Sequence, residues 1–175
     1  MDKLRIGISS CLLGNKVRYD GNHKLDRNIT EILGSLFQYV PFCPEVQCGL
    51  GIPRETMHLA GDLSSPRLLT GRTKIDHTER MNRYTETILD SISSENLCGF
   101  IFKSKSPSCA LSDTKVITGQ NGGSVKRGAG LFATEFTKRF PLVPVTDERQ
   151  LQNLPFREKF VEQVYAFAKW QHPKC

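Results

Sequence analysis

The sequence predicts a single-domain α/β protein with a mostly parallel, Rossmann-like sheet and helices on both faces of that sheet. Two observations support this prediction. Short apolar runs alternate along the chain with segments whose apolar residues recur at helical spacing, which is typical of strand–helix–strand units with right-handed crossovers. A chain of 175 residues with 38% hydrophobic residues can also bury one core of ordinary size, so one domain spanning residues 1–175 is expected.

The first predicted strand is Leu4–Ser9, a short apolar run typical of a buried parallel strand. Asp26 or Asn28 can cap the first helix, because the apolar residues that follow recur at helical spacing. These residues are Ile29, Ile32, Leu33 and Leu36. Tyr39–Phe42 then supplies the second strand.

The middle of the chain predicts one irregular stretch, one helix and one strand. Residues 55–73 contain glycine and proline with little periodicity, so they are expected to be irregular or to form short extended pieces. Asp76–Glu79 resembles a capping box, and the helix that it starts is expected to end near Asn96. The third strand is predicted at Gly99–Lys103.

The next segment predicts a weak strand at Val116–Thr118 and a glycine-rich basic loop at Gly119–Gly130. A helix is expected over Leu131–Arg139. Backbone N–H groups at Lys126–Gly130, before that helix, would suit a phosphate, but a plain glycine-rich loop is the more common outcome of such a pattern.

The last predicted strand is Leu142–Val145, placed near a sheet edge because Pro144 has no N–H donor. The last helix begins near Pro155, a residue suited to a first helical turn. One side of this helix is apolar and is expected to face the core: Phe156, Phe160, Val164, Phe167 and Ala168.

Charge and composition narrow the function classes. Lys and Arg outnumber Asp and Glu by 24 to 18, and the net charge of +6 favours an anionic partner such as a nucleotide, an RNA or a phosphorylated metabolite. A soluble protein that is merely basic would carry the same charge. No stretch approaches the roughly 18 consecutive apolar residues of a membrane helix, and the start lacks the pattern of a secretory signal. We therefore expect a cytoplasmic protein with no membrane partner.

Three of the six cysteines follow predicted strands. Cys11 comes after the first strand, Cys43 after the second, and Cys109 after the third by way of a Lys- and Ser-rich segment. Because ligands bind outside the carboxyl ends of the strands in an open parallel sheet, these thiols are expected to converge. Three thiolates suit a soft metal or an iron–sulfur cluster and leave one metal position open for water or substrate. The alternative is that each cysteine is a small buried hydrophobe.

The segment after the second strand offers two thiols for one ligand position, Cys43 and Cys48, and spacing alone does not choose between them. Glu45 lies two residues beyond Cys43 and would stand beside an open metal position as a proton acceptor or donor. An exposed loop carboxylate is the alternative for Glu45. Cys98 and Cys175 are expected to be structural.

Two polar segments supply candidate substrate contacts. One strand end is crowded by Lys103, Ser104, Lys105, Ser106 and Ser108, which offer donors to an anion or to the polar edge of a base. Ser106 is the best placed of them for a direct role. The segment that contains Arg18, Tyr19 and Asp20 combines both charge signs, an aromatic ring and an Asp-Gly turn, which suits a loop that contacts a polar ligand. A solvated connector would have the same composition.

Five segments, in this order, resemble the signatures of the thiouracil desulfidase family: Ile8–Gly14, Val17–Gly21, Cys43–Val46, Gly49–Arg54 and Lys103–Cys109. The resemblance runs from Arg5 to about Trp170, nearly the whole chain. It implies removal of sulfur from thiolated uracil compounds by non-redox hydrolysis, which gives the oxo base and hydrogen sulfide. The implied substrate types are 4-thiouridine monophosphate and 2-thiouracil.

The same resemblance implies a 4Fe-4S cluster held by Cys11, Cys43 and Cys109, with one open iron. It implies that Glu45 is the acid–base residue and that Ser106 orients the substrate. Lys103 or Lys105 would hydrogen-bond the base or its anionic group. Cys48 departs from the family pattern, which has an aliphatic or small residue there, so the choice between Cys43 and Cys48 stays open.

Other functions remain as alternatives. A two-domain relative acts on thiouridine in transfer RNA, and Pro155–Phe160 resembles the end of its first domain. Since no second domain follows in this sequence, a free base or nucleotide is expected, with transfer RNA as the second choice. The remaining alternatives are a non-catalytic iron–sulfur or zinc protein that senses redox state or binds RNA, and a nucleotide-binding module whose thiols are core residues.

Overall fold

A computed structural model describes residues 3–119 and 123–171. Eight strands and four α-helices lie in these ranges. In chain order they are β1 (Leu4–Ser9), β2 (Phe37–Phe42), α1 (Pro44–Gln47), β3 (Met57–Ala60), β4 (Arg67–Thr70), α2 (Thr78–Ser93), β5 (Phe100–Phe102), β6 (Thr114–Ile117), β7 (Ser124–Gly128), α3 (Leu131–Arg139), β8 (Val145–Asp147) and α4 (Leu154–Gln171). None of these helices has the length and apolar character that a membrane crossing requires.

The larger structural unit is a parallel sheet with the strand order β2-β1-β5-β8. Every neighbouring pair in it is parallel. The chain leaves β1 toward one edge to form β2, and it then returns past β1 to form β5 and β8 on the other side. This reversal between β1 and β5 is the place where open α/β sheets bind ligands, outside the carboxyl ends of their strands. The predicted fold class is confirmed.

Helices cover both faces of the parallel sheet. On one face α4 and the turns at residues 28–35 pack against β1 and β5 through buried apolar side chains: Ile6, Ile8, Leu33, Ile101, Phe160 and Val164. On the other face α2 and α3 pack against β2 and β5 through a second group: Phe42, Leu89, Phe100, Phe102, Phe132 and Phe136. Burial of each of these side chains stabilises the fold by roughly 1.5–3 kcal/mol before the entropy cost.

A second sheet, which the sequence did not predict, has the order β4-β3-β6-β7. Strands β3 and β4 are antiparallel, β3 and β6 are parallel, and β6 and β7 are antiparallel. The short extended pieces expected in residues 55–73 are β3 and β4, but β7 lies inside the segment that was expected to be a plain loop. Strands of four or five residues give little periodicity, and the pairing of β3 with β6 depends on distant parts of the chain.

Three element boundaries differ from the sequence-based expectation. The first helix is replaced by a π-helical turn over Asn28–Ile32 and a 3-10 turn over Leu33–Ser35. Too few residues remain for a regular helix, because β2 begins at Phe37, two residues before its predicted start. The last strand, β8, begins where it was predicted to end, and Leu142 is 65% exposed instead of paired in the sheet.

Other expectations agree or lie outside the described residues. Strand β8 is an edge strand, as predicted from Pro144. Helix α3 has the bounds expected from the sequence. Part of the glycine-rich segment, residues 120–122, and the C-terminal Cys175 lie outside the described ranges.

Gly7 in β1 leads to a stability prediction. A Cβ atom at Gly7 would lie 2.3 Å from Cδ2 of Phe100, whose ring is fully buried between other aromatic rings and has no room to move. We expect Gly7→Ala to lower the free energy of unfolding by about 1–3 kcal/mol because of overpacking. Urea unfolding measures this change. Gly119→Ala is the control, since no atom of residues 3–119 and 123–171 lies within 4 Å of its added methyl. Equal unfolding midpoints for both variants would contradict the expectation.

Candidate active site at the strand ends

A cavity of about 680 Å³ opens at the carboxyl ends of the parallel strands. This volume is within the usual range of small-molecule sites, roughly 300–1,000 Å³. The residues that follow each strand line it: Ser9–Leu12 after β1, Phe42–Glu45 after β2, Lys103–Cys109 after β5, and Glu148 with Arg149 after β8. The strand order reverses between β1 and β5, and the cavity lies at this place. The polar and sulfur-bearing side chains that the sequence predicted at the strand ends line it.

Three cysteines reach this cavity from the ends of three different strands. Cys11 lies in a 3-10 turn that ends at Gly14, whose φ of 88° is in the left-handed region that favours glycine. Cys43 precedes α1, and its N–H donates to Gln47 Oε1 at 2.8 Å. Cys109 is buried in the loop after β5.

Burial keeps these thiols protonated when no metal is bound. It raises the pKa of Cys11 to about 11 and that of Cys109 to about 12, and it also raises the pKa of Cys43. A negative charge on Cys43 would raise the pKa of both other thiols further. A metal centre would reverse this, because a coordinating thiol loses its proton.

The arrangement fits a multi-iron group. Among residues 3–119 and 123–171, no three His, Cys, Asp or Glu side chains are grouped closely enough to share a single ion. Cys11, Cys43 and Cys109 approach one cavity from separate strand ends instead. Cysteine thiolates are the ligands that hold iron–sulfur clusters, so these three residues match such a group in their chemistry.

Cys48 lies on a different side of α1 from the cavity. Its thiol donates to the carbonyl of Glu45 at 3.2 Å, and its side chain packs against the core formed by Leu59, Met81 and their neighbours. It is not among the residues that line the cavity. Of the two thiols between which the sequence could not choose, Cys43 is the one that faces the site.

The start of α3 fixes the loop that carries Cys109. The N–H groups of Leu131 and Ala133 donate to the carbonyls of Pro107 and Ser108, each at 3.1 Å. A Cβ atom at Gly130 would lie 2.3 Å from the carbonyl carbon of Ser108, so only glycine allows this approach. These donors are therefore occupied by the protein's own backbone. The segment before them, expected to be a plain glycine-rich loop, is in part strand β7, which reaches Gly128.

Glu45 is held on both of its oxygens. Arg54 donates to Oε2 from Nε at 3.0 Å and from Nη2 at 2.5 Å, and Ser108 Oγ donates to Oε1 at 2.8 Å. The Arg54 and Glu45 side chains are only 10% and 13% exposed. Arg54 is itself anchored by the bond from Nη1 to the carbonyl of Val17 at 3.0 Å. The carboxylate is thus fixed in one orientation at the cavity wall.

The opposite wall carries a second buried ion pair. Lys103 Nζ contacts Glu148 Oε1 at 2.5 Å, Ser104 O at 2.9 Å and Ser104 Oγ at 3.2 Å. Ser104 in turn donates to Glu148 from its N–H and from its hydroxyl. All three ammonium protons of Lys103 therefore have acceptors within the protein.

The remaining predicted residues are distributed around the rim. Lys105, Arg18 and Tyr19 line the cavity, and the Arg18 guanidinium lies 5.3 Å from the centroid of the Tyr19 ring. Asp20 is outside the lining, where its carboxylate accepts the N–H of Asn22 at 3.0 Å and closes a turn. Ser106 lines the cavity, and its Oγ accepts the N–H of Cys109 at 3.0 Å.

Comparison with known proteins agrees with this geometry. A family model described as 2-thiouracil desulfurase matches residues 6–148. The chain belongs to the 2-thiouracil desulfurase family. This confirms the family resemblance found in the sequence motifs.

Two known proteins are similar to the chain over most of its length. An uncharacterized protein of Bacillus subtilis (strain 168), YbbK, is 30% identical over 132 residues, which are 72% of this chain and 85% of that protein. The solved structure of the [4Fe-4S]-dependent thiouracil desulfidase TudS superposes with a TM-score of 0.69 at 31% identity, and it covers 90% of this chain and 99% of that one.

Sequence reasoning assigned no role to two residues of this site, Glu148 and Arg54. Glu148 follows β8, but the predicted strand stopped at Val145, so no strand-end residue was sought there. Arg54 was only the last residue of the family signature Gly49–Arg54 and was given no role of its own. The signal that could have found it is a lone cation close in sequence to Glu45, since buried carboxylates are usually paired.

The Glu45–Arg54 pair leads to a second prediction. Removing the Arg54 cation would leave the Glu45 carboxylate largely buried without its partner, so we expect Arg54→Met to cost about 3–5 kcal/mol of unfolding free energy. The double variant Arg54→Met, Glu45→Gln should recover most of that loss. Arg83→Ala is the control: its pair with Glu79 is exposed at 75% and 84%, and its removal should cost less than about 1 kcal/mol. Equal costs for the buried and exposed pairs would contradict the assignment.

Proposed function

We propose that this protein is a cluster-dependent desulfidase that removes sulfur from a thiolated uracil base or nucleotide and yields the oxo base and hydrogen sulfide. The observation that carries this function is that three strand-end thiols and the fixed carboxylate of Glu45 share one cavity. Family membership and the similarity to TudS support it. The substrate types are 4-thiouridine monophosphate and 2-thiouracil, and residues 1–175 act as one desulfidase domain.

The cofactor in this proposal is a 4Fe-4S cluster with Cys11, Cys43 and Cys109 as its ligands and one iron without a protein ligand. The convergence of these thiols at the cavity and the position of Cys48 in another core support this ligand set. When bound, the cluster supplies a Lewis-acidic iron with high affinity for a soft thiocarbonyl sulfur.

Glu45 is the proton acceptor for the attacking water in this proposal. Arg54 and Ser108 hold this carboxylate in one orientation through their hydrogen bonds to Oε2 and Oε1. Ser106 hydrogen-bonds the base. A positioned carboxylate of this kind contributes roughly 10²–10⁴-fold to a rate.

Substrate contacts are assigned to the polar rim. Arg18 and Lys105 have charge to offer to an anionic group, and the Tyr19 ring offers a face on which a base can stack. Lys103 and Ser104 line the other wall, where their donors are taken by Glu148, so in this proposal they fix the shape and charge of that wall beside the substrate. The net charge of +6 keeps thiolated transfer RNA as the second candidate substrate.

The cofactor prediction concerns the cysteines. After anaerobic purification and reconstitution, we expect about four irons per chain in the wild type and in Cys48→Ser and Cys98→Ser, with strong losses in Cys11→Ser, Cys43→Ser and Cys109→Ser. Iron and acid-labile sulfide analysis measures this. If Cys48→Ser alone lost its iron, the ligand set would be wrong.

The activity prediction concerns Glu45. Sulfide release is assayed from 4-thiouridine monophosphate, 2-thiouracil and thiolated transfer RNA, with turnover expected for one of the first two. Glu45→Gln should retain the wild-type iron content and lose about 10²–10⁴-fold in kcat, because the amide cannot accept the proton of water. The proposed function fails if the reconstituted wild type turns over none of the three substrates. Full activity in Glu45→Gln would remove Glu45 from the reaction.

A further inference from the structure

Gln47 holds both backbone polar groups of Cys43. Its side-chain Oε1 accepts the N–H of Cys43 at 2.8 Å, and its own N–H donates to the carbonyl of Cys43 at 2.9 Å. The same Oε1 also accepts the hydroxyl of Tyr84 at 2.8 Å. We propose that Tyr84 and Gln47 form a bridge that positions Cys43 as a metal ligand and slows the loss of iron. This inference rests on the proposed function, which makes Cys43 a cluster ligand.

Helix α1 is too short to hold Cys43 in place by itself. It has four residues, Pro44–Gln47, and Cys43 precedes it with an extended backbone, φ −132° and ψ 91°. A single helical turn fixes several backbone dihedrals for very few hydrogen bonds, so an isolated turn is not stable in water. The N–H of Cys43 lies before the first turn and has no acceptor within the helix. Gln47 supplies that acceptor through its side chain.

Tyr84 connects this turn to a more rigid part of the fold. It lies in α2, a 16-residue helix, and it packs against the core that contains Leu59 and Met81. Burial raises the pKa of the Tyr84 hydroxyl, so this group keeps its proton and is the donor to Gln47. A glutamine side chain loses rotamer freedom when it is ordered, and the second bond to the same oxygen helps to offset that cost.

Neither residue of the bridge reaches the reacting groups. Gln47 and Tyr84 do not line the active-site cavity, and they line instead a separate groove between α1 and α2, together with Cys48. Gln47 is exposed and Tyr84 is half-buried. They therefore act on the reaction only through Cys43, as positioning residues. Because both side chains border this groove, a small change in either of them leaves no void in the core.

Groups that hold a ligand residue without touching the metal affect how tightly the metal is kept. Their substitution typically costs about 10–100-fold in metal affinity, because the ligand loses the orientation that coordination needs. Cys11 is held differently, since its carbonyl accepts the backbone N–H groups of Gly14 and Lys24, which no side-chain substitution removes. The support of the Cys43 N–H depends on one amide oxygen, so it can be removed by substitution.

The test compares two variants of matched size in the reconstituted holoenzyme. Gln47→Met removes the acceptor oxygen and Gln47→Glu keeps it, and both substitutes are good helix formers. With an iron chelator under anaerobic conditions, we expect Gln47→Met to lose iron about 10-fold faster than the wild type, and Gln47→Glu to stay within about threefold of it. The control is Gln38→Met, a change to an exposed glutamine of β2 outside the cavity lining, which should match the wild type.

Tyr84→Phe tests whether α2 acts through Gln47. This variant lacks only the hydroxyl and should lose iron about fivefold faster than the wild type, because one hydrogen bond of the bridge is gone. The double variant Gln47→Met, Tyr84→Phe should lose iron no faster than Gln47→Met alone, since the hydroxyl then has no bridge to support. Tyr165→Phe, at an exposed tyrosine of α4, is the matched control.

A measurement on the metal-free protein separates positioning from general support of the fold. Hydrogen exchange of the Cys43 amide, followed by NMR, should be about fivefold faster in Gln47→Met than in the wild type, because this N–H loses its acceptor. The unfolding midpoint of the metal-free variant should stay within about 4 °C of the wild type. A larger fall would make Gln47 a support of the whole fold and would overturn the proposal.

Three further results would overturn the bridge: iron loss from Gln47→Met within about twofold of the wild type, equally fast iron loss from Gln47→Met and Gln47→Glu, or additive effects of Gln47→Met and Tyr84→Phe. If the wild type binds iron and releases sulfide while Gln47→Met keeps its iron as well, the bridge alone fails. If the wild type binds no iron after reconstitution, the proposed cluster fails and the bridge fails with it.

Discussion

Parallel pairing of β1 with both β2 and β5 is the interaction on which the site depends. The register sets Ser9 beside Phe42 and Ile8 beside Ile101, so these strands end at the same edge of the sheet. Cys11, Cys43 and the loop that carries Cys109 are thereby delivered to one cavity from positions far apart in sequence. A one-residue slip of either pairing would move every side chain of that strand to the other face and separate the thiols.

Packing of α3 against the parallel sheet keeps those strand ends in place. The ring of Phe100 covers Gly7, which allows β1 and the aromatic layer of α3 to approach closely. The start of α3 then bonds the backbone of Pro107 and Ser108, and Gly130 makes the approach sterically feasible. The same short segment thus holds a candidate cluster ligand, Cys109, and the hydroxyl that contacts Glu45. Support of the Cys109 loop and orientation of Glu45 are therefore coupled in this segment.

The sequence predicted the elements whose signals are local. Leu4–Ser9 and Leu131–Arg139 have the predicted bounds, and the strand-end rule located the cavity through its cysteines. The second sheet was missed because its short strands pair across the chain, and Glu148 was missed because β8 ends two residues later than expected. Spacing in the sequence does not encode side-chain contacts. It therefore could not predict that Arg54 pairs with Glu45, or that Ser108 contacts both Ser106 and Glu45. Only the folded chain distinguishes Cys43, which lines the cavity, from Cys48, which packs into a core.

The central claim is that three strand-end thiols hold a cluster whose remaining iron faces Glu45. Anomalous diffraction at the iron absorption edge, from anaerobically grown crystals of the reconstituted protein, tests it most directly. The account predicts iron in the cavity at the carboxyl ends of β1, β2 and β5, bound by Cys11, Cys43 and Cys109, with one iron free of protein ligands on the Glu45 side. Iron bound by Cys48, or a fourth protein ligand that closes the open position, would contradict it.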